Sequence, residues 1–233
     1  MPVRNYLRRL GGFCRSLGDP AVRSASLVLM LGIASLQAAP ADPLLDADPV
    51  SADRQQLAQR LQVLDRYSAT FTQAIAGNQG QILEQSTGYV RLLRPLFKWV
   101  VDDPYPQTIL TEGDVLKVYD PDLEQLTVRP LAEALKDTPV SVLTRSEVVL
   151  GEDFLVFRMP VEEGELYVVA PRGEDSLYAE IRLTFSATSL TGLGILDHFG
   201  QYTEIRFVPD DNPQLSSADF HLDIPPDTDV IGG

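Results

Sequence analysis

Apolar residues along this chain recur first at helical spacing and then, for most of its length, at the spacing of strands. Leu57, Leu61 and Leu64 stand at helical intervals among Arg54, Gln55, Gln59, Arg60 and Gln62, with Ser51 as the N-cap. The spacing predicts one amphipathic helix over 52–66, whose apolar stripe has to be buried against another element. From Tyr67 the period becomes two. Runs over 67–76 and 82–93 flank Gly77-Asn78-Gln79-Gly80, a hairpin signal. Shorter runs follow at 97–101, 108–111, 115–119 and 124–128. Glu112-Gly113-Asp114 and Asp120-Pro121-Asp122 supply turns between them. The pattern predicts a meander of antiparallel strands.

Helical character returns over 130–145. Leu131 to Leu135 is followed by Thr138-Pro139, an N-cap with proline at the first helical position, and by Val140, Val142 and Leu143. Strands resume over 154–159, 165–170, 178–185 and 201–208. Ala179, Ile181, Leu183 and Phe185 alternate with Glu180, Arg182 and Thr184, so this sheet has one apolar and one solvated face. Gly192-Leu193-Gly194 reads as a turn ahead of the last of these strands. Eight to eleven antiparallel strands with few helices must close, fold over or curl around something. The fold class expected is mainly β: a curved, unclosed antiparallel barrel with short α-helices as a lid over an apolar cavity.

The first 41 residues stand apart from this pattern. Arg4, Arg8, Arg9, Arg15 and Arg23 precede an apolar stretch from Ser24 to Leu36, and Ala38, Ala39 and Ala41 offer small residues for cleavage. The apolar run is shorter than the roughly 20 residues needed to span a bilayer. It reads as a signal peptide cut between Ala38 and Ala41, leaving 42–233 as a single domain. The only cysteine, Cys14, belongs to that leader, so the mature protein is expected to have no disulfide and no thiolate chemistry. Residues 1–41 hold five arginines and Asp19. Without them 14 basic and 32 acidic residues remain, a net charge of −18 with histidine neutral. Such a charge disfavours nucleic acid and anionic membrane surfaces as partners.

Catalytic chemistry has little to stand on. His198 and His221 have no second ligand at metal spacing, and no HExxH, P-loop or GxSxG pattern occurs. The alternating carboxylates of Asp120-Pro121-Asp122-Leu123-Glu124 lack the later Gly and Glu of a calcium loop and fit a tight turn. The chain is therefore not expected to be an enzyme or to hold a metal or other cofactor. What stands out is Arg94, between Leu92-Leu93 and Pro95-Leu96-Phe97. Its guanidinium could bond carbonyls left open at a helix C-terminus, or end a strand in solvent. Phe97 and Trp99 fit a binding surface or a plain core equally well.

An ordered set of motifs narrows this. Phe71-Thr72-Gln73 follows the first helix. Gly88 precedes a strand ending in Arg94-Pro95, with Phe97 and Trp99 just beyond. Glu112-Gly113, the stretch 119–125, Thr138-Pro139, Gly200-Gln201 with Thr203 and Phe207, and Phe220 ahead of Pro225-Pro226-Asp227 complete it. Together they resemble the outer-membrane lipoprotein carrier family (LolA), over nearly the whole mature chain. The segment 145–174 matches that pattern poorly.

The resemblance implies an unclosed β-barrel with a helical lid and a monomeric periplasmic carrier. Its cargo would be acylated lipoproteins, received from an inner-membrane ABC-type exporter and delivered to an outer-membrane receptor. It also implies that Arg94 bonds carbonyls of a lid helix and that Phe97 lies near the docking surface for the exporter. Arg94, Pro95, Phe97, Trp99, Phe71, Pro139, Val142 and Leu143 are the expected ligand-binding residues. The alternative is a periplasmic lipid-binding sensor or regulatory domain on the same fold.

Overall fold

The computed structural model describes residues 49–134, 154–162, 164–173, 176 and 178–232. The expected leader and the expected second lid helix from residue 135 onward, with Pro139, Val142 and Leu143, lie outside the described residues. Helix α1 spans Pro49–Gln62 and runs through a single 3₁₀ turn, Val63–Asp65, directly into strand β1. It begins two residues before the expected cap at Ser51. Proline is tolerated in a first helical turn because its missing N–H would find no intrahelical acceptor there. It also ends before residue 66, because Arg66 already pairs with Leu93 in the sheet.

The sheet contains twelve strands among the described residues. They are β1 (Arg66–Ala76), β2 (Ile82–Leu93), β3 (Leu96–Asp103), β4 (Gln107–Glu112), β5 (Val115–Asp120), β6 (Gln125–Pro130), β7 (Phe154–Val161), β8 (Gly164–Pro171), β9 (Tyr178–Phe185), β10 (Leu190–Asp197), β11 (Tyr202–Pro209) and β12 (Asp229–Ile231). Their order is β12-β6-β5-β4-β3-β2-β1-β11-β10-β9-β8-β7. Two antiparallel meanders, β1–β6 and β7–β11, are thus joined where β1 pairs with β11, as in Phe71 opposite Phe207. Among the described strands only β12 pairs in parallel, against β6. The sheet is curved and unclosed, with β12 and β7 at its two edges. A four-residue helix, α2 (Leu131–Ala134), follows β6.

Two strands escaped the sequence pattern. Gly192 and Gly194, expected to form a turn, lie inside β10 and pair with β9 and β11. Gly194 leaves room for a close neighbour: a Cβ at this position would meet the Tyr202 hydroxyl, and that ring would have to shift. The other is β12, three exposed residues whose strand partner among the described residues is β6.

The register sorts side chains onto two faces. On the inner face lie the rows Tyr67–Leu92–Phe97, Ala69–Val90–Trp99 and Ile205–Leu193–Leu183–Tyr167. These residues form one buried core with Leu57, Leu61 and Leu64 of α1 and its 3₁₀ turn, each at most 3% exposed. Burial of each leucine is worth about 1.5–3 kcal/mol, which is why α1 lies on this face in spite of its polar remainder. Gly88 makes room in the same layer. A Cβ on it would meet the Val100 carbonyl oxygen at 1.9 Å and the Phe71 ring at 2.9 Å.

The outer face is mostly polar, but residues 210–228 cross part of it. Arg66 donates to Leu215 O at 2.6 Å, Arg91 pairs with Asp219 at 3.2 Å, and Lys98 Nζ donates to His221 O at 2.8 Å. The 3₁₀ turn Ser217–Phe220 closes on a capping box between Ser216 and Asp219, and Phe220 is buried. Leu110, the register partner of Lys98, is 1% exposed on this same face.

Candidate functional site: the inner face and its helical cover

Phe71, Phe97 and Trp99 are brought together on the inner face by the pleat of β1 and β3. The Phe71 and Trp99 rings stack with centroids 4.1 Å apart, and Phe207 meets Trp99 edge-on at 6.2 Å. Tyr67 meets Phe207 edge-on in turn and donates its hydroxyl to Leu190 O at 2.8 Å; burial raises its pKa. Phe97 is fully buried, and its N–H donates to the buried hydroxyl of Thr111 at 2.9 Å. Of the two readings open to Phe97, a binding surface and a plain core, burial in the core describes its position. Leu96 opens β3 opposite Leu93, so the alternation of the strand sends Phe97 inward. Pro95 is exposed in the turn itself and does not line the inner face.

Arg94 meets the C-terminal end of α1. Its Nε donates to Asp65 Oδ1 at 2.9 Å, its Nη2 reaches Leu61 O at 3.5 Å, and its backbone N–H donates to Asp65 O at 2.9 Å. Of the two readings open to it, a strand end in solvent and a helix-terminal contact, the second describes its position. A cation suits the negative end of the helix dipole, and the carboxylate of Asp65 adds a direct partner.

A second polar contact, along the other side of α1, was not anticipated. Glu165 on β8 accepts from Arg60 of α1 through Nε (3.0 Å) and Nη2 (2.7 Å), and from Arg158 of β7 through Nη1 (2.8 Å). Tyr167 donates to the same carboxylate at 3.3 Å. Asp53 accepts the Arg158 backbone N–H at 2.9 Å, Arg54 donates to Phe154 O at 2.7 Å, and Arg60 donates to Ala187 O at 2.8 Å. The hydrogen bonds from Arg60, then those from Arg158, hold the Glu165 carboxyl below the usual carboxylate range. Burial and the charge of Glu165 push the Tyr167 phenol up. A signal existed in the sequence: Glu165 shares its strand face with Tyr167 and Val169, so a carboxylate falls on an otherwise apolar face. It lies in the stretch that matches the family pattern poorly.

A cleft of about 370 Å³ is lined by Thr72, Gln73, Ala74, Ile82, Gln85, Ser86, Thr87, Glu204 and Arg206. Thr72, Thr87 and Arg206 are register partners on the outer face. Hydroxyls, amides and an ion pair dominate its walls, so it offers little to a hydrocarbon chain.

An unclosed antiparallel sheet, apolar inside and covered by an amphipathic helix held through side-chain contacts, defines a half-barrel suited to sheltering apolar groups. Residues 62–223 match the family model described as outer membrane lipoprotein carrier protein LolA. The outer-membrane lipoprotein carrier protein of Chromohalobacter salexigens is 36% identical, over 80% of this chain and 90% of its own length. That of Hahella chejuensis is 34% identical, over 88% of this chain and 97% of its own. The solved structure of a LolA superfamily protein from Nitrosomonas europaea covers 76% of this chain and 99% of its own, at 12% identity and a TM-score of 0.46. The chain belongs to the outer-membrane lipoprotein carrier (LolA) family.

Proposed function

We propose that this protein is a periplasmic carrier that shelters the acyl chains of lipoproteins between α1 and the inner face of the sheet. Cargo is received from an inner-membrane ABC-type exporter and passed to an outer-membrane receptor, with the carrier acting as a monomer and making or breaking no covalent bond. The observation that carries this reading is the pairing of Leu57, Leu61 and Leu64 with the inner-face aromatics. An apolar helix stripe seated on an apolar sheet can exchange that partner for methylenes at similar cost.

Magnitudes fit such a role. A buried methylene contributes about 0.8 kcal/mol, so three C16 chains represent tens of kcal/mol of bilayer affinity. Extraction on that scale is the work of an energised exporter. The carrier need only hold cargo well enough to prevent aggregation and poorly enough to release it.

Mass spectrometry of what co-purifies with the protein from its native envelope tests the reading. Acylated proteins are expected; free phospholipid alone would support the lipid-sensor alternative and remove the carrier assignment. Arg94 provides a functional check. Cargo that displaces α1 breaks the Arg94 contact to Leu61 O, and its recovery on closing favours release. In Arg94→Leu, loading from exporter-containing vesicles should persist while transfer to the receptor slows about tenfold, the effect of about 1.4 kcal/mol. Lost loading with normal transfer would place Arg94 in docking instead.

A further inference from the structure

The two sides of α1 are attached differently, and the difference gives the cover a hinge and a free side. At its C-terminus the helix is tied covalently, through Val63–Asp65, to β1 in the middle of the sheet. The Arg94 N–H to Asp65 O bond pins that junction from the turn after β2. This end cannot leave the sheet without disrupting β1. Apart from the Arg94 contacts to Asp65 and to Leu61 O at this end, every polar contact described above for α1 is made by a side chain of Asp53, Arg54 or Arg60, to β7, to β8 or to the loop carrying Ala187.

The far side is also where the sheet is open. Among the described residues strand β7 pairs only with β8, so alternate backbone groups along its other edge have no strand partner there. Two of them, the Arg158 N–H and the Phe154 carbonyl, are taken by Asp53 and Arg54. Side chains of α1 therefore satisfy an exposed sheet edge without making a thirteenth strand. Between helix and edge stands Glu165, a carboxylate gripped by an arginine from each: Arg60 of α1 and Arg158 of β7.

We infer that the seam between α1 and β7–β8 is the opening side of the cover, with the 3₁₀ turn at 63–65 as its pivot and Glu165 as its latch. What then enters the opened space rests on the carrier reading; the opening itself does not. The chemistry suits a latch. Glu165 and Arg60 are about a quarter exposed, so water can replace each bond as it parts. Ion pairs of this kind hold the helix in register without locking it. The leucine stripe, by contrast, has no substitute partner in water and needs another apolar surface to face. Swinging about the pivot would free the stripe and the inner-face aromatics together, and would leave β1–β3 intact.

Amide hydrogen exchange on the purified protein tests the latch without any ligand. In Glu165→Gln, which keeps the shape and removes the charge, exchange across residues 50–62 should accelerate about tenfold while β1–β3 amides stay at wild-type rates. Arg60→Lys, which keeps the charge and loses the fork, should be intermediate. Uptake of a fluorescent C16 acyl probe should accelerate in the same order. Unchanged exchange of α1 in both variants would overturn the inference, as would acceleration shared equally by β1–β3, which would mean general destabilisation. Failure of the wild-type protein to take up the probe would sink the carrier reading instead, and the exchange rates would still decide the latch.

Discussion

Helix α1 covers the inner face through Leu57, Leu61 and Leu64, whereas the segment 210–228 covers part of the outer face through Arg66, Arg91 and Lys98, with Phe220 as its buried apolar anchor. One cover is thus apolar at its centre and polar at its rim, and the other is polar nearly throughout. The difference teaches where exchangeable surface lies. A polar strap gains nothing from meeting a hydrocarbon chain, because its carbonyls and carboxylate would lose partners. An apolar stripe can pass from the sheet to a hydrocarbon and lose little. Of the two covers, α1 is the one built to be displaced.

The largest test of this contrast is Leu61→Ala. Loss of a fully buried leucine should cost about 2–5 kcal/mol in denaturant unfolding, with α1 exchange rising furthest. Phe220→Ala should lower the unfolding midpoint by less than half as much. Its increase in exchange should be confined to 210–228 and its neighbours on the outer face. Equal effects would mean that both covers are core and would erase the distinction.

Acid should loosen both covers through different carboxylates. The pKa of Glu165 is depressed by Arg60 first, and that of Asp219 by hydrogen bonds from Ser216 first. A carboxylate depressed on folding contributes stability above its unfolded pKa, about 4, and loses that contribution as pH falls through the lower folded value. Protection of α1 should therefore hold from neutral pH to about 4.5 and decline below it, and Glu165→Gln should flatten that decline. A decline of the same size in the variant would assign it to other groups. Smallest of all should be Arg91→Ala. Its pair with Asp219 is about one-third exposed, so the change in midpoint should be slight and should shrink further in roughly 1 M salt.

Much of this architecture is legible from residue spacing. The helical period of Leu57, Leu61 and Leu64 and the alternation from Tyr67 onward report burial that is repeated along one element. Such a signal survives in sequence because each element shows one face to the core. Strand β10 was lost because Gly192 and Gly194 carry no side chain to alternate, and the close approach to Gly194, by Tyr202, comes from another strand. Strand β12 was lost because three exposed residues have no period. Phe97 and Trp99 could be singled out as aromatics with a role, but whether they met solvent depended on the length of the Arg94-Pro95 turn and the pleat that follows.

The sequence by itself determined the half-barrel, its apolar inner face and the family, because local spacing and an ordered set of motifs carry all three. The tertiary structure decided which charges meet. Asp53 and Arg60 lie about a hundred residues from Arg158 and Glu165, and nothing in either segment names its partner. Arg94 likewise finds Asp65 only because β2 returns beside β1. Ion pairs have no period and no local preference strong enough to read. They form where the fold brings opposite charges to one seam, and here that seam is the free side of α1.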